Sequence, residues 1–141
     1  MNVLVDTPVW LLALRRNKPQ LTSSQTVVRQ QLKSLIEEGR AQLAGVVRQE
    51  LLSGIREQEH FTRIRDYLRA FVNPDIEVED YEEGAAFNNL CRAKGITGSA
   101  TDFLLCAISM RRGWGIFTLD LDFERYSAVI PITLYRRTSD G

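Results

Sequence analysis

The sequence predicts a single α/β domain with a small, mostly parallel sheet. Short apolar segments of strand-like composition alternate with longer segments in which apolar residues recur at helical spacing. This alternation is typical of βαβ units, in which a helix returns the chain to start the next parallel strand. The length of 141 residues, with 44% hydrophobic and 26% charged residues, suits one hydrophobic core. We predict one domain over residues 1–135 and a short polar tail over residues 136–141.

The first two elements are a strand and a helix that are joined at an aspartate. Residues 2–5 have the composition of a short buried strand, which ends at Asp6. Thr7 is a suitable helix cap and Pro8 suits a first helical turn, so a helix is predicted to begin there. Residues 15–20 are polar and are predicted to form a loop.

Apolar periodicity and capping residues predict the remaining elements. Val28, Leu32 and Leu35 recur at helical spacing, and Gly39 suits the end of that helix. The elements predicted in order are a helix over 22–38, a strand over 41–44, a helix over 46–54, an amphipathic helix over 60–71, a weak strand over 76–78, a helix over 81–94, a helix that begins at Ser99 or Thr101 and ends at Arg112, a strand over 115–119 and a strand over 130–135.

The charge balance excludes a strongly basic nucleic-acid-binding protein. Lysine and arginine together number 18, and so do aspartate and glutamate. Any nucleic-acid role must therefore come from a local basic patch or from a bound metal. We favour Arg15, Arg16 and Lys18 in the predicted loop as phosphate contacts. The alternative for such residues is an ordinary solvated surface.

The sequence is expected to belong to a cytoplasmic protein. It reaches Asp6 without an apolar signal segment, and no apolar run approaches the roughly 18 residues that a membrane span needs. Cys91 and Cys106 lack CxxC spacing and are interpreted as reduced core residues. His60 is the single histidine, which disfavours hydrolases that use a serine–histidine or cysteine–histidine pair.

Carboxylates beside apolar segments are the most informative feature of the chain. Asp6 follows one predicted strand and Asp120 another, so both belong at the edge of the sheet where the strands end. Glu50 and Asp102 occupy early positions in predicted helices, and Asp122 lies two residues after Asp120. Oxygen ligands without histidine or cysteine suit hard cations such as Mg²⁺ or Mn²⁺. The set indicates a divalent-metal site.

A metal at this edge would have a clear chemical use. Such an ion can activate water and neutralise a phosphate during in-line displacement, and Thr118 could orient that water.

Each carboxylate also has an ordinary interpretation. An aspartate after a strand is often a turn or cap residue, Glu50 could be solvated, Asp102 could complement the helix dipole and Asp122 could cap a short turn. Spacing alone leaves both interpretations open.

Four segments of the chain carry a resemblance to a known family. They are VLVDTPVW at residues 3–10, VRQELLSG at 47–54, GSATDFLLCA at 98–107 and FTLDLDF at 117–123. In this order and at these intervals they resemble the PIN-domain ribonucleases, most of all the VapC toxins of toxin–antitoxin pairs. The resemblance extends over almost the whole chain.

This resemblance implies a three-layer α/β/α fold and Mg²⁺- or Mn²⁺-dependent cleavage of RNA. It implies the following site: an acidic quartet of Asp6, Glu50, Asp102 and Asp120, with Asp122 as an additional metal ligand and Thr118 as a frequent hydroxyl. It further implies a homodimer and a VapB-like antitoxin that often offers an arginine to the carboxylates. The chain departs from the family at Pro8, where a hydroxyl or amide side chain is common, so a possible hydrogen bond to the site is missing.

We therefore predict a metal-dependent endoribonuclease that acts as the toxin of a type II toxin–antitoxin pair. Two alternatives stay open. One is a nuclease of the same fold that processes RNA without a toxin role. The other is a non-catalytic module whose acidic pocket accepts an arginine from a partner.

Overall fold

The computed structural model of the protein describes residues 1–14 and 21–135. The predicted loop over 15–20 and the predicted tail over 136–141 lie outside these residues. The fold has three layers, with a parallel sheet between helices. The strands are β1 (Val3–Val5), β2 (Ala41–Gln42), β3 (Gly115–Phe117) and β4 (Thr133–Leu134). The helices are α1 (Thr7–Leu14), α2 (Ser23–Glu37), α3 (Gly45–Ser53), α4 (Gln58–Leu68), α5 (Val78–Ala93), α6 (Ala100–Arg112) and α7 (Asp122–Ser127). None of these helices combines the length and the apolar character that crossing a bilayer requires.

The strand order β2-β1-β3-β4 places β1 beside β3 at the centre of the sheet. The two strands are parallel, and Val5 at the end of β1 pairs with Phe117 at the end of β3. The backbone N–H of Asp6 extends this pairing by donating to the Phe117 carbonyl at 2.9 Å. The chain therefore leaves both strands at the same edge of the sheet, which confirms the placement predicted for the segments that carry Asp6 and Asp120.

Two clusters of buried side chains fix the helices around this sheet. The larger cluster joins β1 to α1, α2, α3 and α4, and within it the indole N–H of Trp10 donates to the Val5 carbonyl at 3.1 Å. The second cluster joins α5, α6, α7 and β3. Its aromatic centre is formed by Phe103, Phe123 and Tyr126, whose rings are in contact. Burial of each such ring stabilises the fold by about 1.5–3 kcal/mol, so α6 and α7 are held together by packing.

Most of the predicted elements are confirmed, although the strands are shorter than expected. The hydroxyl of Thr22 accepts a hydrogen bond from the Gln25 N–H and begins α2 through a capping box. Gly39 follows that helix with a positive φ of 70°. Ser99, and not Thr101, is the cap of α6. The strand expected over 130–135 is reduced to the two residues of β4.

The strand predicted over residues 76–78 is wrong. Val78 is instead the first residue of α5. The reason is a reciprocal cap that apolar periodicity does not reveal. The Asp80 N–H donates to the Glu77 backbone carbonyl at 3.0 Å, and the Glu77 N–H donates to Asp80 Oδ2 at 2.8 Å. These two hydrogen bonds satisfy amides that a helix start leaves unpaired, so the helix begins earlier.

The prediction that Thr7 caps α1 is also wrong. Thr7 is the first residue of the helix itself, and its buried hydroxyl has no hydrogen-bond partner among the residues that the structure describes. Its backbone N–H donates to Asp6 Oδ1 at 2.8 Å. Asp6, the last residue before the helix, therefore satisfies an amide of the first turn with its carboxylate.

A buried ion pair holds the far end of α6. Asp80 is fully buried, and its Oδ1 accepts from Arg111 Nη1 at 2.7 Å and from Arg112 Nη1 at 2.8 Å. The hydrogen bond from Arg112 is the largest cause that holds the pKa of Asp80 far below its usual range, and Arg111 lowers it further. The pairing joins the start of α5 to the last turn of α6.

Candidate acidic site at the strand ends

Asp6 lies where β1 ends, half-buried, with both carboxylate oxygens engaged. Oδ1 accepts the Thr7 N–H at 2.8 Å, and Oδ2 accepts the Thr118 hydroxyl at 2.8 Å. Burial raises the pKa of Asp6, and the negative charges of Asp102 and Glu50 raise it further, while the two hydrogen bonds oppose the shift. The negative charges of carboxylates on two helices, α6 and α3, therefore act on Asp6.

Thr118 links Asp6 to the turn that follows β3. Its hydroxyl donates to Asp6 and also accepts the backbone N–H of Asp120 at 3.0 Å. The carboxylate of Asp120 in turn accepts the Asp122 N–H at 2.9 Å. A chain of short hydrogen bonds therefore fixes Asp120 relative to Asp6, although the two residues come from opposite ends of the sequence.

Asp102 lies in the first turn of α6. Its N–H donates to the Ser99 hydroxyl at 3.0 Å, and its Oδ2 accepts the Tyr126 hydroxyl at 2.7 Å. Burial raises the pKa of Asp102, hydrogen bonds from Tyr126 and Ser99 lower it, and the charges of Asp120 and Asp122 raise it. Asp102 therefore shares one region of negative potential with the turn after β3.

Tyr126 is a site residue that sequence reasoning missed. It is fully buried in the second core cluster, and Asp102 is the partner of its hydroxyl. Burial raises the pKa of Tyr126, and the hydrogen bond to Asp102 raises it further, so the phenol stays protonated. Its position among apolar residues of a short helix indicates only a core aromatic. The one available signal is that a buried tyrosine needs a polar partner for its hydroxyl.

Glu50 and Asp122 lie at the margin of the site. Glu50 projects from α3 with an exposed side chain, and its charge acts on Asp6. Asp122 begins α7 and pairs with Arg125 at 2.5 Å. The residue in the capping position of α7 is Leu121, so the alternative interpretation of Asp122 as the cap is wrong. The predicted phosphate contacts Arg15, Arg16 and Lys18 lie outside the described residues.

The carboxylate oxygens at this edge are chemically suited to bind a hard cation. Within residues 1–14 and 21–135, no lysine, arginine or histidine pairs with Asp6, Glu50, Asp102 or Asp120. The mutual repulsion of Asp6 and Asp102 would be relieved by a positive ion. In the same part of the chain, no three acidic, histidine or cysteine side chains are close enough to hold a metal ion. The arrangement therefore offers negative charge to a cation without forming a complete cage.

A family model described as the PIN domain matches residues 3–129. No curated protein sequence gives a significant match.

The fold is similar to those of three solved structures. FitAcB from Neisseria gonorrhoeae has a TM-score of 0.70 at 18% identity, with coverage of 95% of this chain and 96% of that chain. VapBC2 from Rickettsia felis, bound to a DNA fragment from its promoter, has a TM-score of 0.71 at 14% identity, with coverage of 96% and 98%. VapBC-1 from nontypeable Haemophilus influenzae has a TM-score of 0.69 at 14% identity, with coverage of 96% and 97%. At these identities the likeness is one of fold.

Proposed function

The chain belongs to the PIN-domain family, whose members are nucleases, and on that premise we propose that it is a metal-dependent endoribonuclease and the toxin of a type II toxin–antitoxin pair. The observation that supports this most is the interaction of Asp6 with Asp102. At the edge where the strands end, burial raises the pKa of Asp6, and the negative charge of Asp102 on α6 raises it further. Functional sites are where such unfavourable charge is usually retained.

Asp6, Glu50, Asp102 and Asp120 are proposed to hold Mg²⁺ or Mn²⁺, with Asp122 as an additional ligand. When bound, the ion would supply a nucleophilic water at neutral pH and neutralise charge on the phosphate. Thr118 holds Asp6 and Asp120 in place, and the remaining lone pair of its hydroxyl could accept a hydrogen bond from the attacking water. Attack of water on phosphorus with departure of the 3′-oxygen would leave a 5′-phosphate.

A cognate antitoxin is the proposed partner. The similar structures from Rickettsia felis and Haemophilus influenzae are VapBC complexes, and this chain resembles them in fold over nearly its full length. An arginine from an antitoxin would meet carboxylates that no described cation neutralises. We propose a homodimer in the cytoplasm, encoded beside a small DNA-binding antitoxin. The absence of such a neighbouring gene would favour RNA processing without a toxin role.

A second candidate function is a non-catalytic module that binds an arginine of its partner. It is favoured by one observation, that no three ligand side chains converge in the described part of the chain. A bidentate arginine needs the oxygens of a single carboxylate, whereas a metal needs several ligands. Calorimetry with Mn²⁺ distinguishes the two functions, because a module of this kind would bind its partner and give no heat with the metal.

The test is to sequence RNA ends after brief expression of the wild type, Asp6→Asn and Asp102→Asn. Each substitution removes one negative charge and keeps the size of the side chain. We expect the wild type to produce 5′-phosphate ends at defined positions and both variants to produce none, with unchanged circular dichroism. Metal-dependent cleavage by both variants would overturn the assignment of the site.

A further inference from the structure

We infer that Tyr126 is a positioning residue for the Asp102 carboxylate, and that its hydroxyl fixes the orientation in which Asp102 meets a divalent cation. The inference rests on the proposed function, because it gives Asp102 a metal to meet. It concerns a residue on α7 that the acidic motifs do not include. The role is indirect, since Tyr126 acts through Asp102.

The contact is short and its donor is held rigidly. Tyr126 Oη lies 2.7 Å from Asp102 Oδ2. The tyrosine ring packs against Phe103 with centroids 4.8 Å apart and against Phe123 with centroids 5.1 Å apart. A fully buried ring between two aromatic neighbours has little freedom to turn. The hydroxyl therefore defines one position for the oxygen that it binds.

The backbone leaves space for this hydroxyl at one particular residue. A Cβ atom at Gly98 would lie 2.2 Å from the Tyr126 hydroxyl oxygen and 2.7 Å from Cζ. Gly98 directly precedes Ser99, the cap of α6, so the glycine lets the tyrosine approach the start of that helix. The Ser99 hydroxyl accepts the Asp102 backbone N–H at 3.0 Å. Two hydroxyls from different elements therefore hold Asp102, one at its backbone and the other at its carboxylate.

The hydrogen bond also links two halves of the acidic site. The turn that carries Asp120 and Asp122 continues into α7, and four residues after Asp122 the same helix presents Tyr126 to Asp102. Removal of a hydrogen bond to a metal-binding side chain commonly weakens metal affinity by about 10- to 100-fold. The phenol is thus placed to couple the Asp102 carboxylate to the turn after β3.

The test measures Mn²⁺ binding by calorimetry for the wild type, Tyr126→Phe, Asp102→Asn and the control Tyr67→Phe. Tyr126→Phe removes one oxygen and keeps the buried ring, so we expect a native circular dichroism spectrum and about 10-fold weaker binding. Tyr67→Phe makes the same chemical change on α4, where the ring is partly exposed and packs on Phe71, and it should leave affinity unchanged. Asp102→Asn should abolish most of the binding.

Each possible outcome decides between the two proposals. Affinity of Tyr126→Phe within twofold of the wild type, with Asp102→Asn defective, would overturn the positioning role and leave the metal site intact. No binding by the wild type would overturn the metal-dependent function together with the inference. Gly98→Ala is the second variant, because it displaces the hydroxyl while the tyrosine remains. It should weaken Mn²⁺ binding as Tyr126→Phe does, and wild-type affinity in folded Gly98→Ala would contradict the inference.

Discussion

The hydroxyl of Thr118 donates to Asp6 Oδ2 at 2.8 Å, although 112 residues separate the two in the sequence. The same hydroxyl accepts the Asp120 N–H at 3.0 Å. One small side chain thus joins the end of β1 to the turn after β3. The parallel register of these strands makes the contact possible, because Val5 and Phe117 are paired directly beneath it.

Thr118→Val is expected to destabilise the protein and to slow RNA cleavage. Valine has nearly the same shape but can neither donate to Asp6 nor accept from Asp120. Loss of a hydrogen bond to a charged group typically costs about 1.5–3 kcal/mol. Urea denaturation should show a loss of this size. Thr133→Val, on an exposed position of β4, is the control and should change stability by less than about 0.5 kcal/mol. Equal effects of the two substitutions would contradict the linking role of Thr118.

Asp102→Asn is expected to stabilise the metal-free protein at neutral pH. The folded-state pKa of Asp102 lies above the ordinary value of 3.8, mainly because the carboxyl is partly buried. Wild-type stability therefore falls as the pH rises through 3.8 and through the folded-state pKa, whereas asparagine has no such dependence. The Tyr126 hydroxyl can still donate to the asparagine carbonyl.

The measurement is the melting temperature in chelator at several pH values. The variant should melt higher than the wild type at neutral pH, and the difference should disappear below pH 3.8, where the carboxyl is protonated in both folded and unfolded chains. Asp75→Asn, at an exposed aspartate, is the control. A variant that is less stable than the wild type at every pH would show that the charge of Asp102 is not unfavourable.

Asp80→Asn is expected to cost about 3–5 kcal/mol of unfolding free energy, because it leaves two arginines without their buried partner. The folded-state pKa of Asp80 is lowered, so the stabilisation is present above the ordinary pKa of 3.8 and is lost as the pH falls below it. Denaturation curves at neutral and acidic pH measure both effects. The control Asp66→Asn removes only exposed pairs with Arg65 and Arg69 and should cost less than about 1 kcal/mol.

Neutralising Arg15, Arg16 and Lys18 to glutamine should weaken RNA binding and flatten its salt dependence. Each phosphate contact to single-stranded RNA contributes about 0.7 to the slope of log K against log salt, so three contacts would contribute roughly 2. Filter binding at several salt concentrations measures the slope. The matched control replaces Arg63 and Arg65 on α4, and Arg69 directly after that helix, with glutamine. An unchanged slope in the variant of Arg15, Arg16 and Lys18 would exclude these three residues as phosphate contacts.

The sequence predicted those parts of the site that follow directly from strand order. Asp6 and Asp120 each come immediately after an apolar strand, and parallel strands place such residues at one edge without further information. Helix caps such as Thr22 and Ser99 were equally visible, because a hydroxyl before a periodic segment satisfies unpaired amides. These features depend on a few neighbouring residues.

Features that depend on distant contacts were not predictable in the same way. Tyr126 has the pattern of a core aromatic, and nothing near it in the sequence indicates that its hydroxyl binds Asp102. The start of α5 depends on the reciprocal cap between Glu77 and Asp80, and the burial of Asp80 depends on arginines 31 and 32 residues away. Apolar periodicity carries no information on either contact.

Helix α6 is restrained at both of its ends, with Asp102 in the first turn and the Asp80 pair in the last. The two ends are separated by roughly 15 Å at 1.5 Å per residue. A conservative substitution such as Arg111→Lys would therefore weaken the restraint on the last turn of α6 without changing any carboxylate of the acidic site. It offers a route to a temperature-sensitive allele, with which cells could be grown at a restrictive temperature and the proposed toxic activity restored by cooling.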